Sequence, residues 1–275
     1  MDLFQMARDN AETYARRYES LRAALGVAAG RLELFAVTVR NEGRLAVNRR
    51  LKVLLRFLDR TGSYYNVHEW AAKLERRSGR PRGELLRLLL GAYYDRRMAF
   101  DRCVSQGERL HYGALHLGGL GAVHFGDYCL VFKEAFAVGR AELAYLWADS
   151  LKTYLLPGCM VDEEGLQRDA CPHSHRHYLA ALKHGADAAS LAEERWPALI
   201  CSRDGFIEAL FAGSPTPGDL QAVRMDQVDY DLYTGFLVDA ALGRLGEGDR
   251  HLVEDFDNLL DLLERHSIPL EKVAA

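Results

Sequence analysis

Apolar side chains recur along the chain in two rhythms. Leu3, Met6, Ala7, Tyr14, Tyr18, Leu21 and Leu25 fall at roughly helical spacing, so residues 1 to about 29 read as helix. Arg31 to Val39, RLELFAVTV, alternates and carries β-branched and aromatic residues, which predicts a strand. RNEGR, 40–44, then reads as a turn. LAVNRRLKVLLRFLDRTG reads as an amphipathic helix with a basic face, closed by Gly62. SYYNVHEW fits either a strand or a loop, and RPRGELLRLLLGAYYDRRMAF is helical from about Gly83.

A β-rich block follows, LHYGALHLGG, GAVHFGDYCLVFKEAF and AELAYLWADS, in which glycines punctuate short strands. Residues 151–177 read as irregular. HRHYLAALKHGADAASLAEERW reads as helix up to Trp196. PALICSRDGFIEALFAG predicts a strand, a turn and a second strand, and DLQAVRMD another strand. Asp229 to Arg265 read as one or two helices, broken near Gly243, Gly246 and Gly248. The order helix, strand, helices, strands, helix, strands, helices predicts an α+β fold with a mainly antiparallel sheet.

Composition narrows the class. The chain has 275 residues, 49% hydrophobic and 27% charged, long enough for a sizeable core. A net charge of −4 argues against a general binder of nucleic acid or anionic membrane. Five cysteines without a CxxC pair argue against a disulfide scaffold and for a reducing compartment. The first twenty residues hold acidic groups and no apolar segment, unlike a cleavable signal. No apolar stretch approaches the roughly 20 residues that span a bilayer, so no membrane association is expected.

Several stretches invite chemistry and have plainer readings. GGLGAVHFG starts like a dinucleotide-binding GxGxxG, but His124 stands where the last glycine belongs, and no long helix follows. CPHSHRH, with Cys159 upstream, holds enough Cys and His for zinc. Its spacing matches no standard module, so no metal is expected. Cys129 sits in a probable buried strand, where thiols are inert. MDQVDYDLYTGF, acidic and aromatic, reads either as a surface for a basic partner or as a helix start favoured by negative charge.

Glu208 is the sharpest case, alone in the apolar run FIEALF. As a helix capped by Asp204 and ended by Gly213, this stretch leaves Glu208 in water. As a strand, it sets Glu208 on one face with Phe206 and Leu210, where a charge needs a partner, a ligand or an open cleft. Local pattern leaves both open.

The stretches VTVRNEGRL, DRTGSYYNVHEW, ELLRLLLGAYYD, HYGALHLGGLGAVHFGDYCLVF, ADS and GFIEALFAGSPTPGDLQAV occur in one order. The series resembles a bacterial domain family of unassigned function that is similar to ADP-ribosyltransferases. It covers about Arg31 to Asp226. The resemblance implies an ADP-ribosyltransferase-like split antiparallel β-sandwich over residues 31–228. Helical segments flank it at 1–30 and 229–275. It also implies NAD as substrate, Glu208 as the catalytic carboxylate, and Arg44, with Arg40 in reserve, on the dinucleotide. Tyr65, His68, Trp70 and Tyr112 are then available to stack on its rings, although His68 and Trp70 depart from the family's usual residues. The activity implied is mono-ADP-ribosyl transfer to a macromolecule, a protein being favoured, by a bacterial toxin or effector. Such a protein resides in the bacterial cytoplasm or is secreted without a cleavable signal, with an immunity or activating partner possible. NAD hydrolysis, nucleotide binding without reaction, and a helical interaction module are the rival readings.

Overall fold

The computed structural model describes residues 1–26, 29–59, 64–246 and 249–274. The chain opens with helices α1 (Leu3–Asp9), α2 (Ala11–Leu25) and α3 (Ala29–Glu42). RLELFAVTV is therefore helical, not a strand. Its residues satisfy both periods, and burial shows which one prevails: Leu32, Phe35, Ala36 and Val39 are buried at i, i+3, i+4 and i+7. The first strand, β1 (Arg44–Arg49), lies in the stretch expected to begin a helix; helix α4 (Leu51–Leu58) starts only after the extended Arg50. The expected stop at Gly62 lies outside the described residues.

SYYNVHEW is neither strand nor loop throughout. It enters α5 (Val67–Ser78) through a capping box in which Asn66 accepts from the Glu69 amide and Glu69 from the Asn66 amide. Then come α6 (Arg82–Leu90), α7 (Tyr94–Cys103), β2 (Leu110–His116), β3 (Tyr128–Phe132), α8 (Glu134–Gly139) and β4 (Glu142–Leu146). The irregular stretch resolves into α9 (Ser150–Thr153), β5 (Leu155–Leu156), β6 (Met160–Val161), α10 (Glu163–Asp169) and β7 (Cys171–Pro172). Helix α11 (Arg176–Ser190) ends earlier than expected. The strand expected at PALIC is the short helix α12 (Trp196–Ile200), opened by a proline in its first turn. Strands β8 (Glu208–Ala212) and β9 (Leu220–Asp226) follow, then α13 (Gln227–Ala241), α14 (Arg250–Arg265) and β10 (Leu270–Val273). Of the glycines expected to break the last helices, Gly243 and Gly246 do lie between α13 and α14, and Gly248 lies outside the described residues.

The fold is α+β. Eight strands form one continuous sheet in the order β10-β9-β3-β1-β2-β8-β4-β7, antiparallel except for the β10–β9 edge pair. β5 and β6 make a separate small hairpin. Side chains alternate between the two faces. Leu45, Val47, Leu115, Leu130, Ala209 and Phe211 share one face with a core that includes Tyr14 and Tyr18 of α2, Phe35 of α3 and Phe256 and Leu259 of α14. Gly185 of α11 permits the closest helix contact there, because a Cβ would lie 2.3 Å from Leu32 Cδ1. On the opposite face, α1, α7 and α10 cover β4 and β8 through Leu3, Phe4, Phe100, Leu166 and Leu210. The middle of that face, over β1 and β2, is paved by Ala46 and Ala114, which pair in register. Gly113, beside Ala114, turns to the core face and packs so closely on β1 that a Cβ would lie 2.5 Å from the Ala46 carbonyl oxygen.

His111, His116, His177 and His184 are buried, and desolvation pushes their pKa values down to about 4 from an ordinary 6.5. The native state thus stays neutral at these sites down to pH 4, while the unfolded chain takes up protons from pH 6.5. Stability is lost as pH falls through that window, with a slope of up to about 5 kcal/mol per pH unit if all the sites act together. Urea unfolding at pH 7, 6 and 5 checks this: the midpoint falls steadily, and a flat profile contradicts the buried neutral histidines.

Candidate functional site

Glu208 is the first residue of β8, so the helix reading of FIEALF is excluded. Its register partners are Ala114 on β2 and Leu146 on β4, and its side chain is 5% exposed. It points to the open part of the sheet. A cavity of ≈ 430 Å³ lies there, floored by Ala46, Asn48, Tyr112, Ala114 and Glu208. Leu89 and Leu90 of α6 and Tyr93 and Arg97 of α7 form one wall. His124 and Phe125 form the other, and Asp149, Lys152 and Arg203 reach the rim. The volume suits a small-molecule ligand. The cavity exists because Ala46 and Ala114 stand in the floor where larger side chains would fill it.

Burial raises the Glu208 pKa to about 8, and the neighbouring Asp149 carboxylate adds to the rise. A hydrogen bond from Ser150 and the charge of Arg97 oppose it. The Ser150 amide donates to Glu208 Oε2 at 2.7 Å. Asp149 itself caps α9, accepting from the Leu151 and Lys152 amides. The ADS stretch thus delivers a carboxylate and an amide donor to one carboxyl group. Such a perturbed acid in a cleft is the mark of a functional site.

Behind Tyr112 lies a buried polar cluster. Asp101 accepts from Arg97 Nε at 2.7 Å and from the Tyr112 hydroxyl at 3.1 Å, and its Oδ2 lies 2.6 Å from His68 Nε2. The Arg97 guanidinium lies over the Tyr112 ring, 3.7 Å from its centroid. Asp101 therefore fixes the orientation of both groups that face Glu208.

Asn48 organises the opposite wall. Its Nδ2 donates to the Leu120 and Gly126 carbonyl oxygens at 2.9 and 3.0 Å, and its Oδ1 accepts from the Ala122 amide at 2.9 Å. Gly121, at φ +67°, passes so close that a Cβ would lie 2.4 Å from Asn48 Oδ1. The glycine stretch that begins like GxGxxG is a clamped loop after β2.

Of the residues expected at the site, Glu208 and Tyr112 meet in this cavity. Arg40 ends in the last turn of α3, exposed, with only its carbonyl engaged by Arg176. Arg44 turns back on the Asn41 and Gly43 carbonyl oxygens and approaches Glu134 at 3.9 Å. Neither arginine lines the Glu208 cavity. Tyr65 lines a separate cavity of ≈ 180 Å³ with Arg56, Phe57 and Trp70, and Lys73 lies over its ring at 4.5 Å. His68 is buried behind Asp101 and acts on the cavity only through it. The cations that do line the cavity are Arg49, Arg97, Lys152 and Arg203, and sequence reasoning missed all of them. Arg97 and Asp101 carried a signal: two charges at i, i+4 that share a helix face with Phe100 and Val104.

The CPHSHRH stretch is dispersed. His173 bridges the Tyr145 hydroxyl and Glu134, while His177 packs its ring on Tyr178. Among the described residues, no group of three or more His, Cys, Asp or Glu side chains is placed to hold a metal ion. No helix among them is long and apolar enough to cross a membrane. No family model, curated protein or solved structure matches the chain.

Replacing Asp101 by Asn removes the counter-charge of a guanidinium that is itself buried. The expected loss is roughly 3–5 kcal/mol in chemical denaturation. Adding Arg97→Met to that variant recovers most of it. A loss below 1 kcal/mol in the single variant, about that of an exposed pair, contradicts the assignment.

Proposed function

We propose that the cavity binds NAD and cleaves its nicotinamide–ribose bond, with transfer of ADP-ribose to a macromolecular acceptor, as in a bacterial mono-ADP-ribosyltransferase toxin or effector. The observation that carries this reading is the carboxyl group of Glu208 on a central strand, held in one cavity with Tyr112 and Arg97. Four stretches of the family resemblance meet there, YGAL at the floor, HFG at a wall, ADS with the amide donor and IEA with the carboxylate, while VTVRNEGRL and SYYNVHEW lie outside the cavity. The continuous eight-stranded sheet is the feature that fits the family's split sandwich least.

The chemistry follows from the charges. Two phosphates of a dinucleotide need cations, and Arg97, Lys152 and Arg203 supply them in place of Arg40 and Arg44, the Arg49 guanidinium lying over Tyr64 on the other face. The Tyr112 ring, already covered on one side by Arg97, offers a fixed edge to the nicotinamide. Cleavage breaks the bond between the ribose C1′ and the pyridinium nitrogen. The electron pair leaves with nicotinamide, and positive charge develops on the ribose. The ionised Glu208 stabilises that charge and holds a ribose hydroxyl. The acceptor's nucleophile then bonds to C1′ and gives up its proton. With water as acceptor the same steps give hydrolysis.

Glu208→Gln is expected to abolish NAD turnover, with at least a hundredfold loss of a main electrostatic contact, while the fold persists. Incubation with labelled NAD and a lysate reads it out. Label on a macromolecule supports transfer, free ADP-ribose alone supports hydrolysis, and undiminished turnover by the variant removes the mechanism.

The ionisation of Glu208 also sets a pH dependence. The unliganded protein holds it protonated below about pH 8, so kcat/KM rises as pH climbs through that value. Relative to the parent, Glu208→Gln gains thermal stability as pH rises from 4.5 to about 8 and keeps that gain above it, because the unfolded carboxyl ionises from pH 4.5 while the native one stays protonated up to about 8. A pH–rate profile flat from pH 6 to 9 argues against Glu208 as the essential carboxylate.

A further inference from the structure

Helix α13 has no buried residue. Its inner side, Tyr230, Tyr233 and Leu237, packs against the core, with the Tyr233 ring stacked 4.9 Å from Phe256. Its outer side is not uniformly polar. Val228, Leu232, Val238 and Leu242 at its end are 72%, 51%, 52% and 59% exposed. At about 100° per residue these fall within an arc about 120° wide, with Asp231 and Asp239 set among them. A surface helix ordinarily turns its polar residues outward.

The charges on α13 itself have one sign, and the cations that border it are Arg244, on Asp239, and Lys272, over the Tyr230 ring. No Lys or Arg occurs from Gln227 to Gly243, while Asp229, Asp231 and Asp239 do. Between Asp226 and Arg265 the chain carries eleven acidic residues against three arginines, a net −8 in a protein of net −4. Asp239 accepts from Arg244 at 2.9 Å, which shows that a guanidinium can seat on this face.

We infer that the outer face of α13 is a docking site for a cationic amphipathic helix of another protein. The partner's apolar residues lie along Val228, Leu232, Val238 and Leu242, and its Lys and Arg residues flank Asp229, Asp231 and Asp239. The two elements of the stripe, exposed apolar residues and the aspartates beside and among them, match that class of ligand. A second copy of this chain would set Asp229, Asp231 and Asp239 against the same residues, and an anionic lipid surface would be repelled. This inference is independent of the chemistry at Glu208.

The test uses the full chain and a labelled synthetic helical peptide of leucine and lysine in heptads, with a leucine–glutamate peptide as control. The lysine peptide is expected to bind saturably with one-to-one stoichiometry and to weaken with added salt, and the glutamate peptide not to bind. Leu232→Ser with Val238→Ser keeps every charge and the melting temperature, yet weakens the lysine peptide by about tenfold or more. Equal affinity for parent and variant overturns the proposal. So does absence of binding, or a concentration-dependent dimer in sedimentation that the same substitutions abolish.

Discussion

The structure turns on the desolvation of one carboxyl group. Glu208 begins a strand whose other residues are all apolar and buried, and it stays in the fold because the sheet beneath it has been left thin. The alanines at 46 and 114 make a floor on which no long side chain rises to fill the space. Gly113, between them in the sheet, faces the core side instead, where any larger residue drives into the Ala46 carbonyl and separates β1 from β2. Small residues thus serve both faces of the central strands, opening the cavity on one and allowing close strand contact on the other. A hydrogen bond from Ser150 and the nearby Arg97 partly offset the cost of burying the carboxyl, and Asp149 adds to it.

The two faces of the sheet carry different burdens. The core face is filled by α3, α11 and α14 and holds His111 as a neutral ring stacked on Phe211. Its packing makes the sheet rigid. The other face keeps its polar groups in a connected set, Asp101 with Arg97, His68 and Tyr112, which satisfies most of their hydrogen bonds away from water. A site on central strands, backed by such a set, is held more tightly than one made of loops.

Sequence patterns carried the later strands and the last helices, because β2, β3, β4, β8 and β9 alternate between glycine-rich turns that stop them. They misplaced residues 31–50. RLELFAVTV meets both the strand and the helix period, and only the packing of α11 against Leu32 and Phe35 chooses between them. LAVNRR was absorbed into the helix after it, since a six-residue strand buried on both faces has no alternation to show. That slip moved the expected end of the first strand from Arg49 to Val39 and with it the choice of arginine. The Asn66–Glu69 box was legible and was passed over. Glu208 was legible because a lone charge in an apolar run calls for an explanation in any fold. Arg97 and Asp101 had the same character on a helix, but their meeting with Tyr112 depends on contacts that no local pattern contains.

The Asn48 side chain has a consequence for how anything enters the cavity. With two carbonyls and an amide fastened to it, the loop carrying His124 and Phe125 is bolted to the centre of the sheet. The facing wall is made of Leu89, Leu90 and Tyr93 at the junction of α6 and α7, where Leu89 and Tyr93 stand largely in solvent. The entrance therefore has one side clamped to the sheet and one lined by exposed side chains. Because Arg97 stands one turn beyond Tyr93 on α7 and is held by Asp101, the helix that frames the exposed side also carries a charge that faces Glu208, so the shape of the entrance and the charge balance of the site are set by the same element.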